Sequence, residues 1–391
     1  MLRTFGYGYL AVVLGLYLAA LGMPALVIGL VVAAAIGGSA AMTVAWSLAA
    51  DRVGRRRTVM IMAALMIAGG LLFAVTSNPV LLVVAAFTGT ISATSSEVGV
   101  FNTVDQAILP QVTSPERRTW AFAVYGLIGN LAQAAGALFA GSVALFASLG
   151  LQGADAYRPL FWLYAAIGLA NFILFATLSP AVELARVEGA RAFIGLRRSR
   201  GAVARLSVLF GLDAFAGGFV VLALVAYWFN LRWGLSPEVL GVVFFWVGVV
   251  SAMSFLAAGW LAGRIGLLNT MVFTHLPSNV LLMLVPLMPS AELAVLVFVA
   301  RMSISQMDVP TRQSYSMAIV DPEERTATAG ITNVARSVAT TISPTLAGYA
   351  FSVAALGVPF LLGGGLKIVY DLLIWRTFRR VRPPEEGGTT S

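Results

Sequence analysis

Cysteine is absent from the 391 residues, which excludes disulfides, thiolate nucleophiles and thiolate-held metals. A single histidine, with no acidic cluster at ligand spacing, leaves no ligand set for zinc or a di-iron centre, so no cofactor is expected. No glycine-rich phosphate loop is present, so ATP is not the energy source. Charge is scarce as well: Asp, Glu, Lys and Arg make up only 11% of the chain. In their place stand apolar residues, 59% of the total, with a mean hydropathy of +0.89. No soluble domain needs that much apolar surface, so the chain reads as a polytopic helical protein of the lipid bilayer. A net charge of +8 would suggest a nucleic-acid partner in a soluble protein. Here the arginines gather at the ends of apolar runs, where they orient helices instead.

A membrane-crossing helix needs about 20 predominantly apolar residues. By that measure there are twelve spans, at 4–21, 25–49, 58–76, 79–105, 119–148, 159–180, 206–229, 238–262, 267–287, 291–318, 327–351 and 354–376. The connections are short except for 181–205, a basic segment that reads as a cytoplasmic linker between a six-helix half at 1–180 and another at 206–380. A tail at 381–391 follows, too short to be a signalling domain. Placing both termini in the cytoplasm puts 19 of the 25 Lys and Arg residues on that side and two, Arg158 and Arg232, outside; four lie within spans. That imbalance sets the orientation.

The halves are repeats. An offset of 212 residues superposes Gly6 on Gly218, Gly22 on Gly234, Gly29 on Gly241, Arg52 on Arg264, Gly54 on Gly266 and Thr58 on Thr270. Further on, an offset of 207 pairs Gln106 with Gln313, Pro115-Glu116 with Pro322-Glu323, Arg118-Thr119 with Arg325-Thr326, and Gly141 with Gly348. Parallel six-helix repeats are an architecture of alternating access. For that reason the apolar run behind Arg3 is read as a span and not as a signal peptide.

Between spans 2 and 3 lies Ser47-Leu-Ala-Ala-Asp51-Arg52-Val-Gly54-Arg55-Arg56-Arg57, a tight basic hairpin. A weaker copy, Gly259-Trp-Leu-Ala-Gly263-Arg264-Ile-Gly266, stands 212 residues later. The first stretch resembles the G-x-x-x-D-R-x-G-R-R loop of the major facilitator superfamily, with Ser47 in place of the leading Gly. The resemblance implies an all-α membrane fold of two pseudo-symmetric six-helix halves and secondary transport of a small molecule. It also implies a cytoplasmic latch in which Asp51, Arg52, Gly54 and Arg56 act with Arg264 and Gly266. Asp105 and Arg312, repeat equivalents of opposite charge, are expected to join that gate by meeting across the halves when the protein opens outward.

A Lys, Arg or Asp at the centre of a span costs roughly 2.5–3.5 kcal/mol to insert, so such residues face a cavity or a partner. The resemblance implies that spans 1, 4, 7 and 10 line the substrate path, which singles out Glu97, Asp213, Arg301 and Asp308. Arg301, Ser305, Asp308 and Arg312 recur at helical spacing as one polar stripe beside Pro310, which should kink span 10. Arg301 has no local partner and reads as a contact for substrate or for a carboxylate. Glu97 and Asp213 are the candidates for proton coupling, with Asp213 alternatively pairing with Arg301 or Arg336. Lys367 and Asp371, four residues apart on span 12, read as a structural pair, and His275 as a packing residue. Tyr7, Tyr17, Asn130, Gln133 and Tyr227 are weaker cavity candidates.

In span 5, Gly126, Gly129, Gly136 and Gly141 resemble the glycine-rich motif of drug/proton antiporters, with Ala137 where those have Pro. The Pro stands instead in span 11, as Ser343-Pro344-Thr-Leu-Ala-Gly348. The reading is therefore a proton-coupled secondary transporter in a plasma or bacterial inner membrane, acting as a monomer and not as an enzyme. Efflux by antiport is set slightly ahead of uptake by symport or facilitation, and a membrane sensor or scaffold is the non-transport alternative.

Overall fold

The computed structural model describes residues 1–94, 99–101, 104–105, 118–178, 199–321 and 324–381. Among these residues the regular structure is helical: α1 (Leu2–Ala20), α2 (Ala25–Val53), α3 (Arg55–Val75), α4 (Pro79–Phe87), α5 (Arg118–Phe139), α6 (Ser142–Ser148) and α7 (Arg158–Ala176). The second repeat supplies α8 (Arg200–Gly218), α9 (Leu222–Trp233), α10 (Pro237–Ile265), α11 (Leu267–Leu284), α12 (Ala291–Ser305), α13 (Asp308–Ala318), α14 (Arg325–Ser352) and α15 (Val358–Phe378). Together they form a twelve-span all-α membrane fold of two six-span repeats. Among the described residues, ten spans are long and apolar enough to cross a bilayer outright. The other two are span 4, which is not one continuous helix, and span 11, which α14 supplies with Arg336 in its length.

The repeat is visible in backbone detail. Gly54 precedes α3 at φ 98°, and Gly266 precedes α11 at φ 85°, a region that L-residues avoid. One turn later Thr58 Oγ1 donates to the Gly54 carbonyl at 2.9 Å, and Thr270 Oγ1 to the Gly266 carbonyl at 2.8 Å. The two basic loops are thus one structural device used twice.

Several spans expected to be unbroken are interrupted, each for a local reason. Span 4 leaves helical form after Phe87, turning at Gly89 (φ 73°). Its unwound backbone finds partners: the Tyr164 hydroxyl donates to the Thr90 carbonyl, and Ala223 N donates to the Ala93 carbonyl at 3.1 Å. Span 5 breaks at Ala140–Gly141, and span 7 just after the Gly217-Gly218 pair. Span 7 also begins at Arg200, inside the segment read as linker. Span 10 breaks at Gln306–Met307 rather than bending at Pro310 itself. Pro310 has no N–H for the Gln306 carbonyl, and its ring crowds that carbonyl four residues back.

Packing groups the chain into two compact units. The first holds Met1–Glu188, Val221–Gly248 and Pro344–Ala354; the second holds Gly189–Val220, Val249–Ser343 and Ala355–Ser391. In the first unit, glycines let second-repeat segments lie directly on first-repeat helices. A Cβ on Gly15 would come within 2.8 Å of the Ala223 carbonyl oxygen, one on Gly29 within 2.4 Å of the Pro344 carbonyl oxygen, and one on Gly241 within 2.6 Å of the Ala137 carbonyl oxygen. The last two crossings are repeat mates, since Gly29 matches Gly241 and Ala137 matches Pro344 at the same offsets. In the second unit, Leu206, Phe210, Met271, Tyr315, Tyr370 and Ile374 form part of an apolar core joining α8, α11, α13 and α15.

Candidate substrate and coupling site

The charged residues of the second repeat converge on Asp213. This carboxylate, on α8, is almost fully buried and accepts from three cations on three other helices. Lys367 Nζ on α15 lies 2.5 Å from Oδ1, while Arg336 Nη1 on α14 and Arg312 Nη1 on α13 lie 2.9 and 3.1 Å from Oδ2. Arg312 Nη1 also donates to Asp308 at 2.8 Å, the i,i+4 pair that the stripe on span 10 suggests. Asp308 opens α13, where a negative charge also meets the positive end of the helix.

Local sequence explains how the helices approach. A Cβ on Gly363 would sit 3.1 Å from the Ala216 carbonyl oxygen of α8, and one on Gly364 2.8 Å from the Asn279 carbonyl oxygen of α11. These small residues seat α15 closely against both helices. Lys367 is thereby brought to Asp213 one turn further along, and Asp371 to α11 a turn beyond that.

Lys367 and Asp371 therefore do not pair with each other as their spacing suggested. Lys367 is drawn to Asp213, and Asp371 meets His275 Nδ1 at 2.8 Å and accepts from Asn279 Nδ2 at 2.9 Å. All three residues of this second cluster are buried, with Tyr370 edge-on to the imidazole. His275 is thus tied to a carboxylate, which a packing residue need not be. Helical spacing had favoured the nearest partner on one helix; the close crossing of α8 and α15 supplied a better one.

Arg301, on α12, stands apart. Asp213 pairs with Arg336, one of its two anticipated partners, and not with Arg301. Among the described residues Arg301 makes no ion pair. Its Nη1 donates to Met302 Sδ at 3.0 Å and its Nε has no partner, although the residue is only 8% exposed.

The first repeat contains a partly buried pair that sequence reasoning missed. Asp105 accepts from Arg3 at 2.7 Å and from the Tyr125 hydroxyl at 2.9 Å, and the Arg3 guanidinium lies over the Phe101 ring at 4.3 Å. Arg3 sits at the very start of span 1, where it passed for a topology anchor. Its burial was the missing signal. Asp105 and Arg312 are repeat equivalents, so both repeats carry an interhelical ion pair at this position with the signs reversed. Each of the two has partners within its own repeat.

Other candidates fall as follows. Glu97 lies outside the described residues, as do the side chains of Asp51 and Arg52. Arg56 Nη2 donates to the Ala176 carbonyl at 2.5 Å, capping the end of α7. Arg264 stacks on Trp260 at 4.1 Å. Tyr7 is buried against Tyr164, Tyr227 is buried near Phe351, and Tyr17 donates to the Phe73 carbonyl. Gln133 is half-buried and Asn130 exposed. No group of three metal-ligating side chains occurs among the described residues.

A twelve-span repeat fold, paired glycine-led basic loops and buried ion pairs narrow the families to consider, and the model of the Major Facilitator Superfamily matches residues 1–307. The chain belongs to the major facilitator superfamily. It is 26% identical to the uncharacterized membrane protein YJR124C of Saccharomyces cerevisiae, over 95% of this chain and 91% of that one. Its fold resembles the nucleoside transporter NupG (TM-score 0.75, 13% identity, covering 97% of this chain and 96% of that one). It also resembles a D-xylose-proton symporter (TM-score 0.74, 16% identity, covering 100% and 98%). The superfamily's members are transporters, so the chain is an integral-membrane transporter of small molecules.

Proposed function

We propose that this superfamily member is a secondary active transporter working by alternating access, coupled to protons and exporting its substrate by antiport. The observation that carries the reading is the Asp213 hub, where one carboxylate holds three cations from three helices. Such a network has discrete alternative pairings, and a proton or a substrate charge that enters it changes which pairings hold. Glu97 is the first candidate for the coupling carboxylate and Asp213 the second. Arg301, Asp308 and Arg336 are the further substrate or coupling candidates, with Tyr7, Asn130 and Gln133 as lesser ones.

The two basic loops act as the cytoplasmic latch, with Asp51, Arg52, Gly54 and Arg56 on one side and Arg264 and Gly266 on the other; Asp105 and Arg312 exchange partners as the gate opens. The protein works as a monomer in the plasma membrane with both termini cytoplasmic. Uptake by symport is the second reading, favoured by Ala137 standing where antiporters have Pro.

Proteoliposomes test all of this at once. Substrate-dependent proton movement is measured for wild type and Glu97→Gln across a panel of metabolites and amphiphiles. Loss of the proton signal in the variant, with expression intact, supports coupling through Glu97. Unaltered coupling removes Glu97 from the mechanism, and flux without any proton signal makes the protein a facilitator.

A further inference from the structure

One buried cation of the second repeat stands outside its ion pairs. Among the described residues, Arg312, Arg336 and Lys367 are each ion-paired with Asp213, and Arg312 also with Asp308. Asp371 is engaged by His275 and Asn279, and the buried Glu324 accepts from the Ser199 N–H. Arg301 is ion-paired with none of the described carboxylates.

Its direct contacts are poor in acceptors. A guanidinium has five N–H donors in a fixed planar fork, and a thioether is a weak acceptor for one of them. Burying such a group without acceptors is costly, and a cation in this position raises the field for any anion placed beside it. Arg301 and Ser305 lie one turn apart on α12 and are both buried, so Arg301 faces the protein interior and not lipid.

We propose that Arg301 anchors an anionic group on the transported substrate, so that the substrate is an organic anion bearing a carboxylate or phosphoryl group. The claim rests on the transporter reading above and narrows it. Arg301 supplies a two-pronged donor set for two oxygens of one group, and its own buried charge draws the anion in. The neighbouring carboxylates Asp213 and Asp308 are held by the other three cations, and neither comes within ion-pair distance of Arg301.

Thermal unfolding of the full chain in detergent tests the binding step with matched probes: benzoate against benzyl alcohol, gluconate against glucose, uridine 5′-monophosphate against uridine. The expected result is that at least one anion raises the unfolding temperature of wild type while its neutral mate does not. Arg301→Gln should weaken that anion by about ten- to a hundredfold, the size of one or two charge-assisted hydrogen bonds. Arg301→Lys should keep part of the affinity. Without ligand, Arg301→Gln should unfold no lower than wild type, because no ion pair is lost.

Two results overturn the proposal: no anion outperforming its neutral mate, or Arg301→Gln retaining the full anion effect. Counterflow of the bound probe in proteoliposomes separates the two layers of the argument. Anion binding that depends on Arg301 without flux would sink the transport reading and leave the anion site standing. Flux of a neutral probe unaffected by Arg301→Gln would do the reverse.

Discussion

Consider replacing Asp213 by Asn. The side chain keeps its shape, but the charge that holds Lys367, Arg336 and Arg312 within 3.1 Å disappears. Arg312 still has Asp308; Lys367 and Arg336 lose the carboxylate they share. At an effective dielectric of 20, unit charges about 4 Å apart interact by about 4 kcal/mol, and cations about 7 Å apart repel by about 2.4 kcal/mol. Removing the anion therefore deletes three attractions and leaves the repulsions among the cations in place. Partial rehydration and rearrangement offset much of this, so the loss should be about 3–5 kcal/mol, as for other broken buried pairs. At about 2 °C per kcal/mol, thermal unfolding in detergent should fall by about 6–10 °C. Lys367→Met should behave differently, since Asp213 keeps two arginines and one buried ion is removed; a change within about 1 kcal/mol is expected. The double variant Asp213→Asn with Lys367→Met should recover part of the single loss, because one stranded cation is gone. The reasoning fails if Asp213→Asn is benign, or if Lys367→Met costs as much as Asp213→Asn.

Two backbone predictions accompany it. Gly54→Ala and Gly266→Ala place a Cβ at positive φ and should each destabilise by about 1–3 kcal/mol, lowering both unfolding temperature and transport; Gly259→Ala and Gly263→Ala, with open space around them, should leave both unchanged. Gly348→Ala would push a methyl to 2.5 Å from the Ala25 carbonyl oxygen and should slow counterflow by prising α2 from α14, whereas Gly330→Ala on the same helix meets nothing and should transport as wild type. Equal effects of Gly348→Ala and Gly330→Ala would show that this crossing is not tight in the working protein.

Much of the fold was legible because hydropathy is a local property. Twelve runs of membrane length, a 19-to-2 division of basic residues and a repeat at offsets of 212 and 207 need no tertiary information. The superfamily loop was equally readable, and Gly54 and Gly266 take the same backbone geometry at its two copies. Asp308 with Arg312 could be read off a helical wheel, because both partners lie on one helix. Lys367 with Asp371 was misread for the same reason: their spacing fits, but spacing within one helix says nothing about a competing partner on another. Arg3 was overlooked because its position at the start of span 1 has an ordinary explanation in orientation, and only its burial against Asp105, Tyr125 and Phe101 shows otherwise.

The sequence by itself determined that the chain lives in a bilayer, crosses it twelve times as two repeats, and must carry several charges where lipid cannot solvate them. Those conclusions follow from transfer free energies, which depend on residue type and run length. Tertiary structure decided which charge meets which. Lys367 reached Asp213 and Asp371 joined His275 and Asn279 because the Gly363 and Gly364 crossings set how closely α8, α11 and α15 approach, and Arg301, on α12, was left with a thioether. Ion pairs form over distances of a few ångströms, and distances between helices far apart in sequence exist only once the helices have packed.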